Sequence, residues 1–232
     1  DWIFCLVRTD PSKPKHDGIS LVLVNMDQPG VRIQPIGLLS GSSPFCETFF
    51  EDAIADKEDL IGGLNQGWGV GKRLLQYERS VHGGVNTSGA QVKNEGPSLI
   101  DVCKSYIGIN KTGIDKGKLI DETFRDRLLK LEMNARAYKA TQSRIVAETR
   151  ASAPALATSI LKVKGAEFTK EQAEIMQHAM GSQGFGWEGD SFTQAELNAN
   201  KEWLTTRAVS IYGGTSEVQM NIIAKRVLGL PD

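Results

Sequence analysis

Cysteine is scarce in this chain: Cys5, Cys46 and Cys103 are the three in 232 residues, odd in number and far apart. That weighs against a disulfide framework and a clustered zinc site, and leaves three reduced thiols. Neither sign of charge is in excess, with 27 Lys and Arg against 28 Asp and Glu. A short basic run such as Lys13-Pro14-Lys15 then reads as a solvated loop, since so few charges add little to nucleic-acid affinity, and no nucleic-acid partner is expected. No apolar run approaches the roughly 20 residues that span a bilayer, so no membrane partner is expected either. Internal repeats and low-complexity segments are also missing. What is present, 40% hydrophobic and 24% charged residues, suits a globular protein with a sizeable core.

The patterning changes once along the chain. Strand-like runs occupy 2–7, 19–26, 31–38 and 47–52, separated by Pro, Gly, Asp and Ser clusters. From Trp68 onward the period is helical, with helices expected over 67–92, 97–107, 121–150, 155–182, 196–209 and 216–228. Long helices joined by modest loops imply a bundle. The polar, glycine-rich stretch 108–120 reads as a surface connection. The chain opens inside a β-type run, at Asp1-Trp2-Ile3-Phe4, without an initiating Met or a leader, so a fragment of a longer protein is expected.

Chemistry concentrates near the C-terminus. Ile211-Tyr212-Gly213-Gly214-Thr215-Ser216-Glu217 leads into a helix in which Ser216 and Gln219 stand at capping-box spacing and Val218, Ile222, Ile223 and Val227 form an apolar stripe. Lys225, Arg226, Gly229 and Pro231 mark its end. Two glycines before a helix leave free N–H groups that can hold a carbonyl, a phosphate or a flavin edge, or the segment is an ordinary capped helix. Further upstream, Glu78 lies four residues after Leu74, three after Leu75 and three before Val81, which puts it on an apolar helical face with Val70. Burial there would raise its pKa toward that of a general base. Alternatively Glu78 sits at the rim of the face and pairs with His82.

The string Tyr212 to Glu217 with Ile222-Ile223-Ala224 resembles the C-terminal segment of flavin-dependent acyl-CoA dehydrogenases. Glu47-Thr48-Phe49-Phe50-Glu51-Asp52 and Gly62-Gly63-Leu64-Asn65-Gln66-Gly67-Trp68 resemble the end of that family's middle domain and its entry into the helical domain. Tyr77-Glu78-Arg79 and Met180-Gly181-Ser182-Gln183-Gly184-Phe185 follow in the family's order, so the resemblance covers nearly the whole chain. It implies an α+β, mostly α fold: residues 1–62 as the C-terminal part of a truncated middle β-domain, and 63–232 as an up-down helical bundle.

For the site, the resemblance implies Glu78 as the catalytic base. The medium-chain type carries its glutamate where this chain has Gly213, whereas the isovaleryl and long-chain types carry it before an arginine on the earlier helix, as Glu78 stands before Arg79. Tyr77, Arg79, Gly213 and Gly214 are implied at the substrate, with the Gly213 N–H and a flavin hydroxyl holding the thioester carbonyl. Arg79 would lie beside CoA, or form a surface ion pair. FAD is the implied cofactor, contacted by His178, Ala179, Met180, Gly181 and Ser182 toward a neighbouring subunit and by Gly214, Thr215, Ser216 and Glu217 beside the adenine dinucleotide. The family often has Gln at the position of His178, which also reads as a half-buried helical histidine, and the family's Arg-x-x-Phe-Gly pattern is absent near 105–125.

The reaction implied is α,β-desaturation of an acyl-CoA, with electrons passed to an electron-transfer flavoprotein, in a homodimer or homotetramer. An acyl-CoA oxidase and a non-catalytic scaffold subunit of a heteromeric dehydrogenase are the alternatives. The compartment would be the cytoplasm in a bacterium or the mitochondrial matrix in a eukaryote. This stretch alone is expected to bind FAD weakly or not at all and to be inactive, because the family's preceding flavin loops are not in it.

Overall fold

Alternation along the first strands decides how the N-terminal part folds. A computed structural model describes the backbone of residues 1–82, 98–150 and 158–231, and the side chains of these except 76–82 and 149–150. The chain divides into two compact units, Asp1–Arg79 and Ser80–Asp232.

In the first unit, β1 (Trp2–Arg8) pairs antiparallel with β2 (Ile19–Asn25), which pairs on its other side with the two-residue β5 (Leu60–Ile61). A separate antiparallel ribbon joins β3 (Val31–Ile36) to β4 (Phe45–Phe50). Along β1, Ile3, Cys5 and Val7 are half-buried while Trp2, Phe4 and Leu6 are exposed, and β1 is an edge strand of this sheet among the described residues. The last strand was expected over 47–52 but runs 45–50. Its end is set by a turn: the Glu51 N–H bonds to the Gly30 carbonyl at 2.8 Å, and Asp52 takes a φ of 54°. β5 carries too short a run to show in the sequence.

The junction into α1 (Gly67–His82) is built on one buried hydroxyl. Ser20 Oγ accepts the Asn65 N–H at 2.8 Å and lies 2.7 Å from Thr9 Oγ1, which donates to Asn65 Oδ1 at 2.7 Å. Gly67 then sits so close to β2 that a Cβ on it would lie 2.2 Å from the Leu21 nitrogen. Only glycine allows that approach. Trp68 follows, stacked on His16 with ring centroids 4.1 Å apart.

The second unit is a helical bundle: α2 (Leu99–Ile107), α3 (Glu122–Arg150), α4 (Thr158–Met180), α5 (Gln194–Thr205) and α6 (Ser216–Ile222), the last continued by a π-helical turn, Ile223–Val227. Short 3-10 turns, Gly181–Phe185 and Thr206–Ser210, follow α4 and α5. α4 packs against α2, α3, α5 and α6, and accordingly buries residues on several faces, among them Leu161, Val163, Ala166, Ile175, Gln177 and Met180. Its core with α2 and α3 contains Ile175, Cys103, Leu131 and Ala179. Leu119 is in the same cluster and Ile109 bridges to it, so the 108–120 loop is anchored in the core at one end rather than lying wholly on the surface.

Caps start the helices where side chains can reach free N–H groups. Ser98 accepts from the Asp101 N–H, Asp121 from Thr123 and Phe124, and Thr193 forms a reciprocal box with Glu196. Glu196 accepts from the Thr193 N–H at 2.6 Å, the Tyr106 hydroxyl at 2.8 Å and the Thr193 hydroxyl at 2.9 Å. The Thr193 N–H and the Tyr106 hydroxyl hold its carboxyl below the ordinary glutamate value. A depressed folded-state value means that this stabilisation is present above the unfolded carboxylate range and is lost as pH falls through the folded value. Glu196→Gln is therefore expected to lower the unfolding temperature at neutral pH. It should also flatten the fall in stability between about pH 6 and pH 3 relative to wild type. Parallel calorimetric pH profiles for the two proteins would count against this role.

Candidate active site

The turn entering α6 owes its shape to two consecutive glycines. Gly213 has a φ of 66° and Gly214 a φ of 95°, the second well outside what an L side chain adopts without strain. Among the described residues, neither donates its N–H to an acceptor. The cap beyond them is Thr215, whose hydroxyl accepts the Val218 N–H at 3.2 Å, and not Ser216 as the spacing with Gln219 suggested. Ser216 points back instead, donating to the Ser210 carbonyl at 3.4 Å. Gln219 is buried, and Val218 is 51% exposed, so the apolar stripe expected there begins only at Ile222. The Glu217 N–H and the Thr215 hydroxyl hold the Glu217 carboxyl below its ordinary value.

The approach to this turn is held from α4. Lys162 Nζ donates to the Val209 carbonyl at 2.5 Å and lies 5.8 Å from the centre of the Tyr212 ring. Burial, then the charge of Lys170, pushes the Lys162 ammonium below the ordinary lysine value. Further along α4, Glu174 reaches Arg207 at 3.9 Å and Arg127 at 3.8 Å, and Arg127 donates twice to Glu171, at 2.9 and 3.1 Å. Lys162 is a residue that periodicity does not single out as functional; the one signal is a cation inside the otherwise apolar Ile160-Leu161-Lys162-Val163.

His178 to Ser182 forms a second group, at the end of α4. His178 is exposed, not half-buried, with Nδ1 3.3 Å from Arg127 Nη1. Ala179 and Met180 are buried in the core, so only their backbone can face a ligand, whereas Gly181, with a φ of 58°, and Ser182 are exposed. The segment is fastened by a buried amide chain: Gln177 Nε2 donates to Asn200 Oδ1 at 3.4 Å, and Asn200 Nδ2 to the Gly186 carbonyl at 3.0 Å. The two groups do not converge. Lys162 holds Val209 and lies beside Tyr212, and sixteen residues of helix, about 24 Å, separate Lys162 from His178.

Tyr77, Glu78 and Arg79 are on α1, but their side chains lie outside the described residues, as does that of His82. On the face that Glu78 was expected to share, Leu74 and Leu75 are exposed. A groove of about 490 Å³ between α3 and α4, lined among others by Arg127, Leu131, Tyr138, Leu161 and Phe168, contains none of the expected site residues. Among the described residues, no three His, Cys, Asp or Glu side chains cluster as metal ligands, and no helix is long and apolar enough to cross a membrane.

The profile described as "Acyl-CoA dehydrogenase, C-terminal domain" matches residues 65–228. The chain belongs to the acyl-CoA dehydrogenase family. It is 34% identical over 232 residues to acyl-CoA dehydrogenase IpdE1 of Mycolicibacterium smegmatis, covering 99% of this chain and 54% of that one. It is 30% identical to acyl-CoA dehydrogenase FadE34 of Mycobacterium tuberculosis, covering 99% of this chain and 29% of the relative. The chain thus spans about half the length of the first of these curated relatives and less than a third of the second. Among solved structures it is similar to an acyl-CoA dehydrogenase from Geobacillus kaustophilus (TM-score 0.76, 24% identity, 98% of this chain and 57% of that one). It is also similar to the Tcur3481–Tcur3483 steroid ACAD (TM-score 0.79, 21% identity, 100% and 57%). These two likenesses establish a shared fold with the helical bundle.

Proposed function

We propose that this chain is the C-terminal part of an acyl-CoA dehydrogenase that introduces an α,β double bond into an acyl-CoA thioester. The observation that carries the reading is the Tyr212–Glu217 turn, where the N–H groups of Gly213 and Gly214 have no partner among the described residues. The Gly213 N–H donates to the thioester carbonyl oxygen, whose negative charge grows as the α-proton leaves; a donor already in place stabilises that charge without reorganising. The Glu78 carboxylate takes the α-proton, and Arg79 and Tyr77 face the substrate. FAD, when bound, supplies the hydride acceptor for the β-carbon.

Exposed Gly181 and Ser182, with His178 and the backbone of Ala179 and Met180, contact FAD at one place, and Gly214, Thr215, Ser216 and Glu217 contact it at another. Their separation along α4 suits contacts made by different subunits of a homodimer or homotetramer. Residues 1–62 would then close the middle β-domain and 63–232 form the helical domain, whereas the division into compact units falls later, between Arg79 and Ser80. An electron-transfer flavoprotein would be the partner that takes up the electrons, in the cytoplasm of a bacterium or the mitochondrial matrix of a eukaryote.

The missing Arg-x-x-Phe-Gly pattern favours a second reading, a non-catalytic subunit of a heteromeric dehydrogenase. Colour separates the two. The full-length protein purified alone is expected to be yellow and to bleach anaerobically with at least one acyl-CoA of a chain-length panel. A colourless protein that acquires flavin only with a second polypeptide would replace this reading with the scaffold. Rapid re-oxidation of the bleached protein by oxygen would instead indicate an oxidase.

A further inference from the structure

We propose that Gln219 is a positioning residue that locks the Gly213–Gly214 peptide in one of two orientations open to it, and so aims the Gly214 N–H out of the turn. Gln219 is 2% exposed, beneath the turn on α6. Its Nε2 donates to the Gly213 carbonyl at 3.5 Å, and the same atom lies 2.5 Å from where a Cβ on Gly214 would be. Its Oε1 is buried and has no hydrogen-bond partner among the described residues. A buried amide oxygen left unpaired is destabilising, so burial alone would favour an apolar side chain here. The bond to Gly213 is the polar contact that sets this side chain apart from a filler.

The consequence follows from peptide geometry. In a planar trans peptide the C=O and the N–H point in opposite directions. A Gly213 carbonyl held inward by Gln219 therefore directs the Gly214 N–H outward, where among the described residues nothing accepts it. Without a hold, the peptide between two glycines can rotate, because neither has a Cβ to block the alternative. The rotated form would turn the carbonyl outward, placing an acceptor where the Gly214 N–H would otherwise face FAD. Thr215 caps α6 in either orientation through its own hydroxyl, and Lys162 holds the chain at Val209, before the glycines, so neither substitutes for Gln219. What the outward N–H serves rests on the function proposed above; the lock itself does not.

The test uses the full-length flavoprotein with Gln219→Met, which keeps length and burial but cannot donate, and Gln219→Glu, whose carboxylate would attract the Gly214 N–H inward. Crystal structures of both variants read the turn directly, and the dissociation constant of FAD reads the use of the Gly214 N–H. Gln219→Met is expected to show the Gly213–Gly214 peptide in two orientations and Gln219→Glu to show it reversed, with α4 unchanged in both. FAD is expected to bind about 10-fold more weakly to Gln219→Met, the scale of one hydrogen bond, and more weakly still to Gln219→Glu. An altered peptide with wild-type FAD affinity would support the lock and remove the Gly214 N–H from cofactor binding. A wild-type peptide orientation in both variants would overturn the lock whatever the affinity.

Discussion

Glu78→Gln in the full-length protein is expected to slow flavin reduction by acyl-CoA about 100-fold or more, the scale of losing a general base, while thioester binding changes little. Gln keeps the shape and hydrogen bonding of the side chain and removes only its capacity to take a proton. The assignment rests on α1 carrying Glu78 beside Arg79 and on Gly213 having no side chain at the family's other position. A further consequence concerns Gly213. Its φ of 66° lies in the left-handed region, which an L residue enters at a cost of roughly 1–2 kcal/mol, so Gly213→Glu is structurally admissible. Combined with Glu78→Gly, it is expected to recover part of the activity. Single-turnover reduction by Glu78→Gln at the wild-type rate would show that another group is the base.

The second large effect is on stability. Ile175→Ala is expected to cost about 3 kcal/mol and to lower the unfolding temperature of the helical unit by roughly 10 °C. Ile175 is fully buried among Cys103, Leu119, Leu131 and Ala179, with Phe124, Leu128 and Phe168 packed around them. Three helices and the anchored loop meet at that point, so the space left by the deleted atoms cannot close by movement of a single side chain. Leu129→Ala, on the exposed face of α3, is the control and should change stability by no more than about 0.5 kcal/mol. Equal losses in the two variants, measured by calorimetry, would mean that the core is not centred on Ile175.

Much of the architecture was legible in the residues because it depends on local period. The change from alternating to helical patterning near Trp68, the bundle, and the glycine turn with a helix after it all follow from interactions a few residues apart. The C-terminal stop was legible for the same reason: Gly229 takes a φ of 68° just past the last helical turn, and the Leu230 N–H closes back on the Ala224 carbonyl. Glycine is cheap in that conformation whatever surrounds it.

The site was only half legible, and the failures share a cause. Ser216 and Thr215 are equally good caps by composition; the backbone direction imposed by Gly214 hands the role to Thr215. Ala179 and Met180 belong to a motif by order, yet α4 turns their side chains into the core because α2 and α5 pack on that face. Gln219 reads as a capping-box partner of Ser216 and is instead buried beneath the turn, donating to the Gly213 carbonyl. Short-range pattern thus determined which elements form, where most of them end, and the family. Burial direction, the Lys162 hold on Val209 and the Gln219 hold on Gly213 were decided by the tertiary structure. Each depends on a partner, whether α4 against the 3-10 turn or a peptide rotated by two glycines, whose position no periodicity encodes.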